Sequence, residues 1–94
     1  MIEYLHTAIR ASAGENIAIS AEVTDELGNI VTDDCSLIIY LEDNGILMIG
    51  GNCIEGIFTF EVPGDMTKGL KGRYWYCVRH NGEPVCFKQP IYFV

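Results

Sequence analysis

Apolar and polar residues alternate along several short runs of this chain. Between Asn16 and Thr24 the apolar positions recur at every second residue, at Ile17, Ile19, Ala21 and Val23. Successive side chains of a β-strand point to opposite faces, so this spacing predicts a strand with one buried face. Phe58, Phe60 and Val62 repeat the pattern within Cys53–Val62, where Gly56 indicates a bulge.

Further apolar runs and turn signals predict the remaining elements. We expect strands at Glu3–Ser12, Ser36–Glu42, Ile46–Ile49 and Gln89–Val94, with turns at Asp25–Asn29, Asp43–Gly45 and Gly50–Asn52. Asp65 is expected to cap a single helical turn through Lys68. The runs Ser36–Glu42 and Ile46–Ile49 are apolar at consecutive positions, which is typical of strands covered on both faces or of a subunit contact.

The run Gly72–Phe87 predicts a β-hairpin around Asn81-Gly82. A two-residue type I′ turn needs positive φ at both central positions, and Asn-Gly is its strongest sequence signal. The turn fixes the pairing of the two strands. The predicted pairs are His80/Glu83, Arg79/Pro84, Val78/Val85, Cys77/Cys86 and Tyr76/Phe87.

This hairpin register sorts the side chains onto two faces. The predicted core face carries Tyr74, Tyr76, Val78, Val85 and Phe87. The other face carries Trp75, Cys77, Arg79, Pro84, Cys86 and Lys88. Because a solvated face does not need a tryptophan and two cysteines, we predict partner binding there, through Trp75, Arg79, Pro84 and Lys88. The alternative is that a neighbouring loop or the segment Met1–Ile9 covers this face.

About seven short strands separated by turn signals predict one all-β domain over residues 1–94, an immunoglobulin-like antiparallel β-sandwich. The strand at Asn16–Thr24 has no cysteine, so the inter-sheet disulfide of antibody domains is not expected. The predicted core comprises Ile17, Ile19, Val23, Leu37, Ile39, Phe58, Phe60, Tyr76, Val78 and Phe87.

Charge and cysteine spacing narrow the classes of function. The formal net charge is −7, from 13 acidic and 6 basic residues, which argues against a nucleic-acid partner and suits a cationic protein. The four cysteines form no Cys-x-x-Cys pair and have no ligand-like spacing to His6 or His80, so no metal or cofactor is expected. Cys77 and Cys86 could form a disulfide by geometry, but we expect free thiols in a reducing cytoplasm. No catalytic constellation, signal peptide or membrane span is recognisable.

Four pieces of the chain also follow one another in a specific order and spacing: Ala13–Val31, Gly56–Val62, Asp65–Val78, and the closing run from His80 to Ile91. In this order they resemble the immunoglobulin-like domains of tailed-phage virion proteins, such as the N-terminal domain of the baseplate upper protein and head-fibre and tail modules. The resemblance implies a non-enzymatic part of a virion, made in the host cytoplasm, that docks to capsid or tail proteins in multiple copies. Whether it belongs to the head, the tail or the baseplate stays open.

Two other functions remain open. One is a small acidic phage-encoded inhibitor that binds a cationic surface of a host protein. The other is a carbohydrate-binding adhesion module, in which Trp75 and nearby tyrosines stack on sugar rings. The inhibitor predicts Asp and Glu clustered on one face of the domain, whereas a virion protein predicts an apolar patch.

Overall fold

A computed structural model of the chain describes residues 2–5, 8–25, 27–84 and 88–94, and the side chains of residues 2–5 and 84 lie outside that description. Within it, strand accounts for 61% of the residues. The strands are β1 Ile2–Leu5, β2 Ala8–Ala11, β3 Ile17–Glu22, β4 Cys35–Leu41, β5 Asn44–Gly50, β6 Asn52–Ile54, β7 Ile57–Val62, β8 Gly72–His80, β9 Glu83–Pro84 and β10 Gln89–Phe93. One short helix, α1 at Gly64–Thr67, precedes β8.

The strands form two sheets that pack face to face. The large sheet has the order β1-β2-β10-β8-β4-β5, with β9 paired to β8, and the small sheet has the order β3-β7-β6. Strand β10 runs parallel to β2, and the other described pairs are antiparallel. This is the strand arrangement of an immunoglobulin-like sandwich, with strands B, E and D in one sheet and G, F, C and C′ in the other. The predicted fold class is confirmed.

The core fills the space between the two sheets. The predicted members Ile17, Ile19, Val23, Leu37, Ile39, Phe58, Phe60 and Val78 are buried in it, and Tyr76 packs against it half-buried. The rings of Phe58 and Phe60 are stacked with centroids 6.1 Å apart. Phe87, the remaining predicted member, lies outside the described residues. Alternation along β3, β4, β7 and β8 therefore identified the buried face of these strands correctly.

Strand β5 of the large sheet and β6 of the small sheet are separated by one residue, Gly51. Its N–H donates a hydrogen bond to the carbonyl oxygen of Cys35 over 2.9 Å. A Cβ at this position would lie 2.6 Å from Cε1 of Phe60 and 2.9 Å from Cδ1 of Phe58. Only a residue without a side chain can therefore pass this close to the two rings.

Helix α1 is tied to the turn that follows β2. The N–H of Gly64 donates to Oδ1 of Asn16 over 2.8 Å, and the N–H of Gly14 donates to Oγ1 of the buried Thr67 over 3.1 Å. The predicted capping role of Asp65 is wrong, because the N-cap residue is Pro63 and makes no side-chain capping bond. Asp65 instead lies within the first turn, where its negative charge suits the partial positive charge of a helix N-terminus.

Two of the predicted strands are hairpins. The run Glu3–Ser12 contains β1 and β2, which pair antiparallel with Leu5 opposite Ala8. The run Cys53–Val62 contains β6 and β7, joined by Glu55 and Gly56 with φ of 52° and 81°. Gly56 therefore lies in a tight turn and not in a bulge, and the sequence gives little signal for it because glutamate rarely adopts positive φ.

The turn at Asn81-Gly82 is confirmed, with φ of 51° and 82° and the pairs His80/Glu83 and Arg79/Pro84. Farther from the turn the predicted register is wrong, because Tyr76 pairs with Gln89 and not with Phe87. The displacement is two residues, an even number, so each side chain that the structure describes keeps its predicted face. The pairs with Val85 and Cys86 lie outside the described residues.

Replacing Gly51 with alanine should destabilise the protein by roughly 1–3 kcal/mol, because the added methyl group overpacks the Phe58 and Phe60 rings. Gly50→Ala is the matched control, since a Cβ there meets no atom within 4 Å. Urea unfolding of both variants measures the difference. Equal stability of the two would contradict the close approach of Gly51 to the core.

Candidate functional site

A second apolar cluster lies on the outer face of the large sheet, the side that points away from the small sheet. Ile38 and Tyr40 of β4 and Cys77 of β8 are buried there, and the half-buried Trp75 packs against them. Their neighbours Leu37, Ile39 and Val78 point inward to the core. Strands β4 and β8 are thus apolar on both faces, although the small sheet covers only one of them.

Strand pairing arranges the outer face in rows. Ile38 lies opposite Met48 of β5 on one side and opposite Cys77 of β8 on the other. In the next row Trp75 lies between Tyr40 and Pro90. Residues far apart in sequence therefore form one continuous apolar surface, which reaches the solvent at Met48.

Two cationic side chains lie over aromatic rings of this face. The guanidinium carbon of Arg73 is 5.2 Å from the ring centroid of Trp75, and Nζ of Lys88 is 4.4 Å from the centroid of Tyr40. Lys88 Nζ also lies 3.1 Å from Oδ1 of Asp43. Each contact holds a charge over the negative face of a ring, which fixes the aromatic side chains as well as the cations.

The structure brings Trp75 and Lys88 together and places Arg79 on the same face. With Glu42 and Asp43, Trp75 and Lys88 line a shallow cleft of about 390 Å³. Arg79 donates from Nη1 to the carbonyl oxygen of Gly82 over 3.3 Å, and its buried Nε has no hydrogen-bond acceptor among the described residues. Pro84 is paired with Arg79 through its backbone, and its side chain lies outside the description.

The N-terminal segment does not cover this face where the structure describes it. Ile2–Leu5 forms the edge strand of the large sheet beyond β2, so it extends the sheet sideways. Ala8 and Ile9 belong to β2, which lies in the plane of the same sheet. The predicted alternative therefore fails for these residues.

The outer face is larger than the hairpin surface expected from the sequence. Ile38, Tyr40, Met48 and Arg73 belong to it, and none of them was predicted as a site residue. A signal for three of them was present, because Ser36–Glu42 and Ile46–Ile49 are apolar on both faces. That pattern does not say which strands lie side by side.

The outer face of the small sheet has a different character. Its side chains include Ser20 and Thr59, whose hydroxyl oxygens are 3.4 Å apart, and the exposed carboxylates Glu22 and Glu61. All 6 basic residues of the chain lie outside this sheet, at Arg10, Lys68, Lys71, Arg73, Arg79 and Lys88. The two outer faces of the sandwich are therefore electrically unlike.

Thiols and candidate ligands form no metal site in the described part of the chain, where no group of three His, Cys, Asp or Glu side chains is gathered. Cys35 and Cys53 are free, and burial, followed by the charge of Asp33, raises the pKa of the Cys35 thiol. Cys86, the predicted partner of Cys77, lies outside the described residues. None of the described helices is long and apolar enough to cross a membrane.

No family model, curated protein or solved structure matches the chain. The resemblance to phage immunoglobulin-like domains therefore depends only on the sequence pieces named above. Any function has to be inferred from the surfaces of the sandwich themselves.

A polar pair lies at the end of β8, beside Arg79. His80 Nε2 is 2.8 Å from Oδ1 of Asp33, and this hydrogen bond lowers the pKa of the Asp33 carboxyl below its usual 3.8. Because the folded-state pKa is lower than the unfolded one, the carboxylate contributes stability above about pH 4 and loses that contribution as the pH falls through the folded pKa. Asp33 is exposed to solvent, so the contribution is small.

Removing the imidazole in His80→Ala should raise the pKa of Asp33 toward 3.8, because the carboxylate loses its principal hydrogen-bond donor. A titration of the carboxyl carbon by NMR measures the midpoint. Lys88→Ala, which removes a cation paired with Asp43, is the control and should leave Asp33 unchanged. An unaltered Asp33 midpoint in His80→Ala would contradict the assigned cause.

Proposed function

We propose that this protein is a non-enzymatic docking module of a tailed-phage particle and that it binds its partner through the outer face of the large sheet. The observation that carries the proposal is the second apolar cluster around Ile38, Tyr40 and Cys77. A sheet face that meets only water carries polar side chains, whereas this face continues outward into the exposed Met48.

The composition of the outer face supports protein docking. Trp, Tyr, Met and Arg are enriched at protein interfaces. Trp, Tyr and Arg combine large area with directional hydrogen bonds, and Met adds flexible apolar area. Trp75, Tyr40, Met48 and Arg73 supply all four types. The cation–π contacts hold three of these four side chains, Trp75, Arg73 and Tyr40, in place before binding, which lowers the entropy lost on association.

The setting in a virion comes from the resemblance of the sequence pieces. A single sandwich domain that exposes one apolar face suits a protein that is added in multiple copies to a capsid, tail or baseplate surface. Its partners would then be other virion proteins and not nucleic acid, in keeping with the net charge of −7.

Carbohydrate binding is less well supported than protein docking. A sugar ring stacks on an open aromatic face, and here the Arg73 guanidinium lies over Trp75 and the Lys88 ammonium lies over Tyr40. A sugar would have to displace these cations before it could stack. A protein partner can instead bind the cations and rings together.

The second candidate, an acidic inhibitor of a host protein, is favoured by one observation. The small sheet carries Glu22 and Glu61 on its outer face, and none of the 6 basic residues lies in that sheet. Such a surface suits a cationic host protein. In that case the small sheet would bind the partner, and the large sheet would not.

Trp75→Ala should remain folded and monodisperse yet lose incorporation into particles, because an interface anchor contributes about 2 kcal/mol or more. Sedimentation of lysates on a density gradient, with detection of the protein in particle and soluble fractions, measures the loss. Met66→Ala is the control, since Met66 is 40% exposed and lies on α1, which belongs to neither sheet.

Met48→Glu provides a second test that does not depend on how Trp75→Ala folds, because Met48 is 68% exposed. It should also reduce incorporation. If wild-type protein stays in the soluble fraction bound to a host protein, the inhibitor function replaces the virion function. If both variants fold and incorporate normally, the outer face does not bind the particle.

A further inference from the structure

Three exposed isoleucines form an apolar patch at one end of the small sheet, here called the small-sheet tip. Ile54 and Ile57 face each other across the Glu55-Gly56 turn, and they are 66% and 41% exposed. Ile30 is 53% exposed, and its Cγ2 lies 3.5 Å from the place that a Cβ on Gly56 would take. The three side chains therefore lie close together on the solvent side of the sheet.

The small-sheet tip is bordered by acidic residues. Glu22 lies directly opposite Ile57 in the β3–β7 pairing, and Glu55 occupies the turn between Ile54 and Ile57. Both carboxylates are exposed. The tip thus offers aliphatic side chains at its centre and negative charge at its border.

The outer face of the large sheet has complementary properties. Met48 and Trp75 supply apolar surface, and Arg73 and Arg79 add positive charge beside it. Lys88 lies here as well, but it is paired with Asp43 and lies next to Glu42. The Nε of Arg79 is also buried, and it has no hydrogen-bond acceptor among the described residues. A group placed against this face is best matched if it is aliphatic and bordered by carboxylates.

We propose that the small-sheet tip of a second copy of this chain occupies the outer face of the large sheet. This inference rests on the proposed docking function and names its partner. Contact between two tips would bring Glu22 and Glu55 of both copies together, and contact between two outer faces would bring their cations together. Charge therefore favours the unlike pairing, in which each copy contributes one tip and one outer face.

Such a contact is heterologous, because it joins two different surfaces of identical chains. Heterologous contacts repeat from copy to copy and produce either a closed ring or an open row. The net charge of −7 makes copies repel at a distance, and Arg73 and Arg79 on the outer face weaken this repulsion locally. Approach through the outer face is therefore the favoured orientation.

A mixing experiment with two matched variants tests the pairing. Met48→Glu puts an acid on the outer face, and Ile54→Lys puts a base on the small-sheet tip, at positions that are 68% and 66% exposed. Sedimentation velocity over a concentration series measures self-association of the wild type, of each variant, and of their equimolar mixture. Met66→Lys, at a site 40% exposed on α1, is the control for adding a lysine to the surface.

We expect the wild type and Met66→Lys to associate with increasing concentration. Each interface variant alone should associate at least about tenfold more weakly, the size of effect expected for an interface residue. The mixture should associate at least about tenfold more tightly than either variant alone, because the intact tip of Met48→Glu binds the intact outer face of Ile54→Lys. A symmetric contact of like surfaces predicts no such increase.

Two results would overturn the inference: a wild type that stays monomeric up to about 1 mM, the range of weak contacts, or a mixture that associates no more tightly than either variant alone. Particle incorporation separates this failure from failure of the proposed function. If Ile54→Lys incorporates normally while Trp75→Ala does not, the outer face binds a different virion protein and the docking function stands.

Discussion

The close approach of the chain to the core at Gly51 is the constraint on which the sandwich depends. Gly51 alone separates β5 of the large sheet from β6 of the small sheet. Its N–H donates a hydrogen bond to the carbonyl oxygen of Cys35. With no side chain there, the backbone passes directly over the stacked rings of Phe58 and Phe60. The two sheets are joined through this contact, and the strand that carries the first cysteine of antibody domains has no cysteine here. The packing of the apolar core, with the close backbone approach at Gly51, therefore holds the two sheets together.

The position of β4 and β8 in the middle of the large sheet explains the outer face. A two-layer sandwich covers only one side of each sheet, yet these strands carry apolar side chains on both. Part of the second side is covered from within the domain, by the cations that lie over Trp75 and Tyr40. The remainder, at Met48, meets solvent in the isolated chain. A docking partner that buries Met48 would gain favourable free energy of binding from this apolar surface.

The basic side chains are distributed unequally between the two sheets. The small sheet has carboxylates and no lysine or arginine, whereas the outer face of the large sheet carries Arg73, Arg79 and Lys88 together with Glu42 and Asp43. The net charge alone suggested a cationic partner, but it could not show that every lysine and arginine of the chain lies outside the small sheet. This arrangement is what allows a copy of the chain to serve as the partner of another copy.

Sequence alone determined those features that depend on a strand's own residues or on a single turn. The alternation at Ile17–Val23 identified the buried face of β3, and Asn81-Gly82 identified the tight turn, because side-chain direction and positive φ are local properties. It also placed Trp75 on the outer face, since a displacement of two residues does not change the face. Only the tertiary structure decided which strands are neighbours, and hence that Met48, Ile38 and Cys77 form one row. It likewise decided that Gln89, and not Phe87, lies opposite Tyr76. Strand order and register depend on how all the strands share one core, and no single strand carries that information.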